Sequence, residues 1–127
     1  RGTNRCHIVR ATLEAMCYQT YDVLRAMEED AGAIGSIKAD GGASSNDFLM
    51  EFQADILGHS VIRPYNVEST ATGAAYLAGL GCGLWSSMEE LVGVSDKFRE
   101  FIPSMSESKR SDLIGGWKKA VQAAIRE

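Results

Sequence analysis

The sequence predicts a three-layer α/β fold with parallel strands flanked by helices. Two short apolar runs, residues 36–40 and 60–64, each stop at glycine or proline. Segments of helical periodicity precede, separate and follow them. Strands that alternate with helices in this way pair in parallel, because the helix is the crossover. The 127 residues fit one domain with a core able to stand alone, and 45% hydrophobic with 24% charged residues is a globular rather than a disordered composition.

Residues 6–31 read as a long helix. Val9, Leu13, Met16, Thr20, Val23 and Met27 recur at spacings of three and four and form one apolar stripe. Gly32 is its expected stop. Residues 36–40, SIKAD, form a buried strand. Ser44 or Ser45 caps the next helix, with Asp47 in its first turn. Phe48, Phe52 and Ile56 share a face of that helix, with Leu49 and Gln53 beside them, and Gly58 ends it. Residues 60–64 are a second strand stopped by Pro64.

Ser69 or Thr70 caps a third helix over residues 70–82, built mostly of Ala, Gly and Thr. Its small side chains are expected to let a neighbour approach closely, so that Gly73→Leu destabilises the fold. Residues 86–94 form a short capped helix, and 97–103 an edge strand ending at Pro103. Residues 106–126 form a final amphipathic helix. Leu113, Trp117, Val121 and Ala124 or Ile125 face inward, and Lys109, Arg110, Lys118 and Lys119 form a solvated face.

The net charge of −4 argues against nucleic acid or an anionic membrane surface as a partner. Cys6, Cys17 and Cys82 make no CxxC pair and read as reduced thiols of a cytosolic protein. The most apolar run, residues 71–85, is too short and glycine-rich for a membrane span. His7 and His59 have no ligand spacing around them, and His59 reads as loop surface. The acidic run Glu28, Glu29 and Asp30 opposes the dipole of the first helix and has no functional account.

Asp40, Gly41 and Gly42 stand between a strand and a helix with no lysine to hold a phosphate. Neither GxxxxGK[ST] nor GxGxxG is present. In an open α/β sheet ligands sit at the carboxyl ends of the strands, and glycines let them approach the backbone. The helix N-terminus that follows adds N–H donors. Asn46 offers a donor and an acceptor in the same region. These residues alone leave two readings open, a ligand-holding turn and a tight turn with a capping serine.

Residues 40–58, DGGASSNDFLMEFQADILG, resemble the glycerol kinase segment D-G-G-A-x-x-N-x-F-L-M-x-F-Q-x-D-I-L-G. Residues 1–27 and 63–85 are similar to the segments that flank it in the same kinases, so the resemblance covers nearly the whole chain. The wider group is the sugar kinases that share the actin and hexokinase ATPase fold. The resemblance implies a ribonuclease H-like half-domain truncated at its N-terminus. Residues 1–127 would be the C-terminal part of the second, nucleotide-binding domain.

By the same resemblance, Gly42 and Asn46 contact the adenosine part of ATP or ADP, with Gly41 and Ala43 close by. The turn holds the nucleotide through backbone and amide groups, and Mg2+ arrives with the nucleotide. No catalytic or metal-ligating residue is expected in this chain. The catalytic aspartate, the polyol-binding residues and the first phosphate loop belong upstream. The isolated chain is therefore expected to be inactive. The intact enzyme would be a cytoplasmic homo-oligomer that phosphorylates glycerol, with no nucleic acid partner and no membrane span. The alternatives are a xylulose or gluconate kinase, a non-catalytic ATPase-fold domain, and a stand-alone interaction module with a purely structural turn. Asp40 is read as shaping the turn or approaching a metal-bound water, in preference to a catalytic base. Gln53 and Asp55 are read as structural.

Overall fold

The computed structural model describes residues 2–92 and 97–125. Helix α1 (Arg5–Ala31) leads to strand β1 (Ile37–Lys38), a 3-10 turn (Gly42–Ser45), helix α2 (Asp47–Leu57) and strand β2 (Val61–Pro64). Helices α3 (Ser69–Gly81) and α4 (Met88–Val92), strand β3 (Phe98–Phe101) and helix α5 (Glu107–Ile125) follow. Residues 93 and 94 of the expected short helix lie outside the described residues.

The sheet has the order β1-β2-β3. As the alternation of elements predicts, β1 and β2 are parallel, with Ile37 beside Val61. Strand β3 is the expected edge strand, and it runs antiparallel to β2, pairing Val61 with Phe101 and Arg63 with Arg99. Side chains alternate across a strand, so Ile37, Val61 and Phe101 share one face. Helix α2 lies on that face, with α1 and α5 packed against it. Ile56, Val61 and Cys17 are fully buried at the centre. Each large apolar side chain buried there contributes roughly 1.5–3 kcal/mol. Tyr18 joins the helices: its ring stacks on Trp117 at 5.4 Å and meets the Phe52 ring edge-on at 5.7 Å.

The inner stripe of α1 differs from expectation. Val9, Met16, Val23 and Met27 are exposed, while Cys17 and Tyr18 are buried and Leu13, Tyr21 and Leu24 pack against the core. The helix is apolar on two sides, and α2 covers the side whose residues include a thiol and two phenols. The N-terminus of α1 carries a capping box: Asn4 Oδ1 accepts from the Cys6 and His7 N–H groups, and His7 Nδ1 accepts from the Asn4 N–H. Gly32 caps the other end, donating its N–H to the Glu28 carbonyl at 3.0 Å.

Gly58 ends α2 in the left-handed conformation, as the sequence predicts (φ 71°). Gln53 and Asp55 are structural, also as predicted. Buried Gln53 donates to the Cys17 carbonyl, and Asp55 accepts from the Ser104 and Met105 N–H groups at 2.6 and 2.8 Å.

Close packing of α3 is confined to its last turns. Gly79 is buried against the Trp85 ring, but a side chain at Gly73 would meet nothing within 4 Å, so Gly73→Leu loses its expected severity. Neither Ser69 nor Thr70 caps this helix. Its N-cap is Glu68, without a side-chain bond, and Asn66 organises the approach by accepting from the Glu68 N–H and donating to Thr72 Oγ1. In α5, Leu113, Ile114 and Trp117 pack on the core, whereas Ala124 and Ile125 are exposed. Among the described residues, no helix is long and apolar enough to cross a membrane.

Candidate functional site

The Asp-Gly-Gly turn sits at the carboxyl end of the parallel pair. The Ala39 N–H donates to the Ile62 carbonyl at 2.9 Å, and the chain then leaves β1. Gly41 has φ 81°, a conformation that disfavours any side chain, and its N–H donates to the Val67 carbonyl at 2.8 Å. That bond ties the loop after β1 to the loop after β2. It places the turn beside the start of α3, whose N-cap Glu68 makes no side-chain cap bond. Gly42 needs no special φ. A side chain there would project into open space, so the backbone of the turn is accessible from that side.

Residues 42–45 form one 3-10 turn, and this shifts the helix cap. Ser44 is buried and donates its hydroxyl back to the Gly41 carbonyl at 2.7 Å, and Ser45 caps nothing. Asn46 is the N-cap of α2: its Oδ1 accepts from the Leu49 N–H at 3.3 Å. The sequence places Asn46 one turn inside the helix with both polar atoms available. In the structure its acceptor holds the helix, and among the described residues its Nδ2 donor has no protein partner. Gly41, Gly42, Ala43 and Asn46 are thus brought together on one short exposed arc.

A trio that the sequence reading missed fixes this arc to the sheet. Arg63 donates to the Ser44 carbonyl and to Asp47 Oδ1, both at 2.8 Å. Arg99 donates to Asp47 Oδ2 at 2.5 Å. The two arginines lie directly opposite across the β2–β3 pair, where like charges repel. Asp47 lies between them, and both guanidiniums stack on the Phe101 ring, at 5.1 and 4.6 Å. The hydrogen bonds from Arg63 and then Arg99 hold the Asp47 carboxyl below the usual carboxylate range. The signal for this trio is present in the strand pattern, since Arg-Pro and Phe-Arg-Glu-Phe each put an arginine on the inner face. Finding it requires the antiparallel register of β3. A cavity of about 150 Å³ beside the turn is lined by Ser45, Arg63, Tyr65, Val67 and Arg99.

Asp40 is exposed, and among the described residues its side chain makes no hydrogen bond, so it does not shape the turn through one. His7 serves the α1 cap, and half-buried His59 lies 3.5 Å from Glu28. Among the described residues, no group of three or more His, Cys, Asp and Glu is placed to hold a metal ion. The arc offers backbone donors, one amide donor and open space beside Gly42.

Comparison with known proteins gives the turn its context. Over 126 residues the chain is 56% identical to a glycerol kinase of Saccharolobus islandicus. Over 127 residues it is 57% identical to a glycerol kinase of Caldanaerobacter subterraneus subsp. tengcongensis. These alignments take in 98–99% of this chain but only 25–26% of the length of those relatives. Among solved structures, a Plasmodium falciparum glycerol kinase with ADP superposes over 99% of this chain and 26% of its own, at 31% identity and a TM-score of 0.82. A xylulose kinase from Lactobacillus acidophilus, at 21% identity and a TM-score of 0.75, shares the fold. The fold is thus that of the actin-like ATPase sugar kinases, here as a partial domain with a small mixed sheet. The description "FGGY family of carbohydrate kinases, C-terminal domain" matches residues 1–82, more than half of the chain, and the chain belongs to that family.

Proposed function

We propose that this chain is the C-terminal part of the second, nucleotide-binding domain of a glycerol kinase. In the longer protein it would hold the adenosine side of ATP or ADP while the γ-phosphate passes to glycerol, giving glycerol 3-phosphate. The observation that carries this reading is 56–57% identity to glycerol kinases along almost every residue of the chain. The likeness to a glycerol kinase solved with ADP supports the nucleotide. On this reading Gly41 supplies the left-handed bend, Gly42 and Ala43 the accessible backbone, and Asn46 Nδ2 a hydrogen-bond donor. Mg2+ enters with the nucleotide. Of the two aspartates at the turn, Asp47 is engaged by two arginines, and Asp40 has no partner among the described residues. A single carboxylate does not make a metal site.

The chemistry then belongs to residues outside this chain, and the chain by itself has no turnover. The exposed stripe of Val9, Met16, Val23 and Met27 supports the same reading, as a surface that the rest of the domain covers. The free thiols Cys6 and Cys82 fit a reducing, cytoplasmic setting. We place the intact enzyme among homo-oligomers, which light scattering of the longer protein tests. The function is tested by ADP production from the longer protein with glycerol, xylulose or gluconate. Turnover with glycerol alone is expected. Preference for xylulose or gluconate would refute the substrate, and no turnover with any of the three would refute the kinase. Glycerol-dependent turnover by the 127 residues alone would refute the division of labour.

A further inference from the structure

A second cavity, of about 600 Å³, lies at the opposite end of α2 from the Asp-Gly-Gly turn. Helix α2 has 11 residues, so the two ends are about 16 Å apart. Three elements form the walls. Helix α1 contributes Tyr21, Arg25 and Glu28, the α2–β2 turn contributes Gly58 and His59, and α5 contributes Arg110, Ser111 and Lys118. Leu57 and Ile114 supply apolar surface.

The charge in this cavity runs against that of the chain. Overall the protein carries 13 Lys and Arg against 17 Asp and Glu. Here Arg25, Arg110 and Lys118 face a single carboxylate, Glu28. Glu28 is engaged by Arg25 at 2.7 Å and lies 3.5 Å from His59. The contact of Arg110 with Glu107 is long, 3.4 Å, and Glu107 is 85% exposed. Lys118 has no ion-pair partner among the described residues.

Arg110 is held in place by a specific device. Its guanidinium occupies the space that a side chain at position 58 would fill, and Gly58 also needs φ 71°. A cation at the carbonyl end of α2 complements the helix dipole. That accounts for Arg110, and the ion pair with Glu28 accounts for Arg25; neither accounts for Lys118.

We propose that this cavity binds a small organic phosphate. Planar guanidiniums bind phosphate oxygens in a fork, while lysine acts as a point charge. The hydroxyls of Tyr21 and Ser111 add donors, and Leu57 and Ile114 receive a short carbon skeleton. The volume exceeds what a bare ion needs and lies in the range of small-ligand sites, about 300–1,000 Å³.

The test is a titration of the chain with phenyl phosphate, followed by amide NMR shifts, with phenol as the uncharged control. Saturable binding with a Kd below about 1 mM at low salt is expected, with shifts centred on His59, Arg110 and Gly115. Added salt weakens it. Arg110→Gln and Lys118→Gln each weaken it about fivefold or more, while Lys109→Gln, on the same helix outside the cavity, leaves it unchanged. Lys118 is exposed, so its variant folds even if Arg110→Gln does not. Absence of saturation at 10 mM, on the order of ten times the expected Kd, would overturn the proposal. So would equal binding by wild type and Lys118→Gln, equal binding of phenol, or shifts centred on Gly41–Asn46 instead. The first three of these outcomes leave the nucleotide reading of the turn untouched, and the fourth moves the phosphate to the turn and away from this cavity.

Discussion

Asn46 carries two jobs on two atoms, so replacing it with alanine confounds them. Its Oδ1 caps α2 and its Nδ2 is the donor proposed for the nucleotide. Asn46→Ala removes both. Loss of an N-cap costs about 0.5–2 kcal/mol, and the 3.3 Å length of this bond puts it in the lower half, about 0.5–1 kcal/mol. For a chain of this size that lowers the melting midpoint by about 2–4 °C. Asn46→Asp separates the jobs. The carboxylate keeps an oxygen for the Leu49 N–H and sits favourably at a helix N-terminus, but it has no donor.

Thermal melts of the chain and the nucleotide KM of the longer enzyme read the two jobs separately. Asn46→Asp is expected to melt within about 1 °C of the parent, because the cap survives. Both variants raise the nucleotide KM by about three- to tenfold, the worth of one neutral hydrogen bond. The aspartate is the worse of the two, because its charge faces a polyphosphate. An aspartate variant that melts as low as the alanine one would refute the cap argument. A KM unchanged in both variants would refute the nucleotide contact and leave the turn as a structural element.

Asp47 has its carboxyl held below the usual range by Arg63 and Arg99, so it stabilises the fold fully above the ordinary carboxylate pKa and loses that contribution as pH falls through its own. Asn at position 47 is expected to be less stable at pH 7 and to show a shallower fall in melting temperature between pH 5 and 3, that is, over about the range of carboxylate titration; parallel curves would refute the trio. Gly73→Ala is expected to stabilise α3 by up to about 1 kcal/mol, whereas Gly79→Ala meets the Trp85 ring and costs about 1–3 kcal/mol; equal urea midpoints for the two would overturn that contrast. Burial, with Glu14 adding to it, pushes the Cys17 thiol up to about 12, so a thiol reagent at pH 8 labels exposed Cys6 and Cys82 and reaches Cys17 only in denaturant; rapid labelling of three thiols in the native chain would contradict the packing of Cys17 against Leu49.

What was legible in the sequence follows the range of the interactions. Local signals placed the elements: the periodicity of residues 6–31, Gly58 as the stop of α2, Pro64 at the end of β2 and the small-residue run of α3. Local competition defeated the caps. Ser44 and Asn46 are both good capping residues, and the choice fell to Asn46 because the 3-10 turn spends the Ser44 hydroxyl on Gly41. The Arg63–Asp47–Arg99 trio was hidden for a different reason. Its members are separated by up to 52 positions and meet only through the antiparallel register of β3, which no local pattern specifies.

The stripe on α1 is the instructive failure. Val9, Met16, Val23 and Met27 have the spacing of a buried face, yet all four are exposed, between 42% and 60%. A helix with apolar residues on two sides is a helix buried on two sides, and among the described residues the core side is covered by α2 and α5 while Val9, Met16, Val23 and Met27 stay exposed. If the longer protein covers the second side, as proposed, the periodicity describes the whole domain correctly and misdescribes only the piece. The same logic applies to the turn. A side chain at Gly42 would meet open space, and on the proposed reading the turn is one wall of a cleft whose opposite wall is supplied by the longer protein.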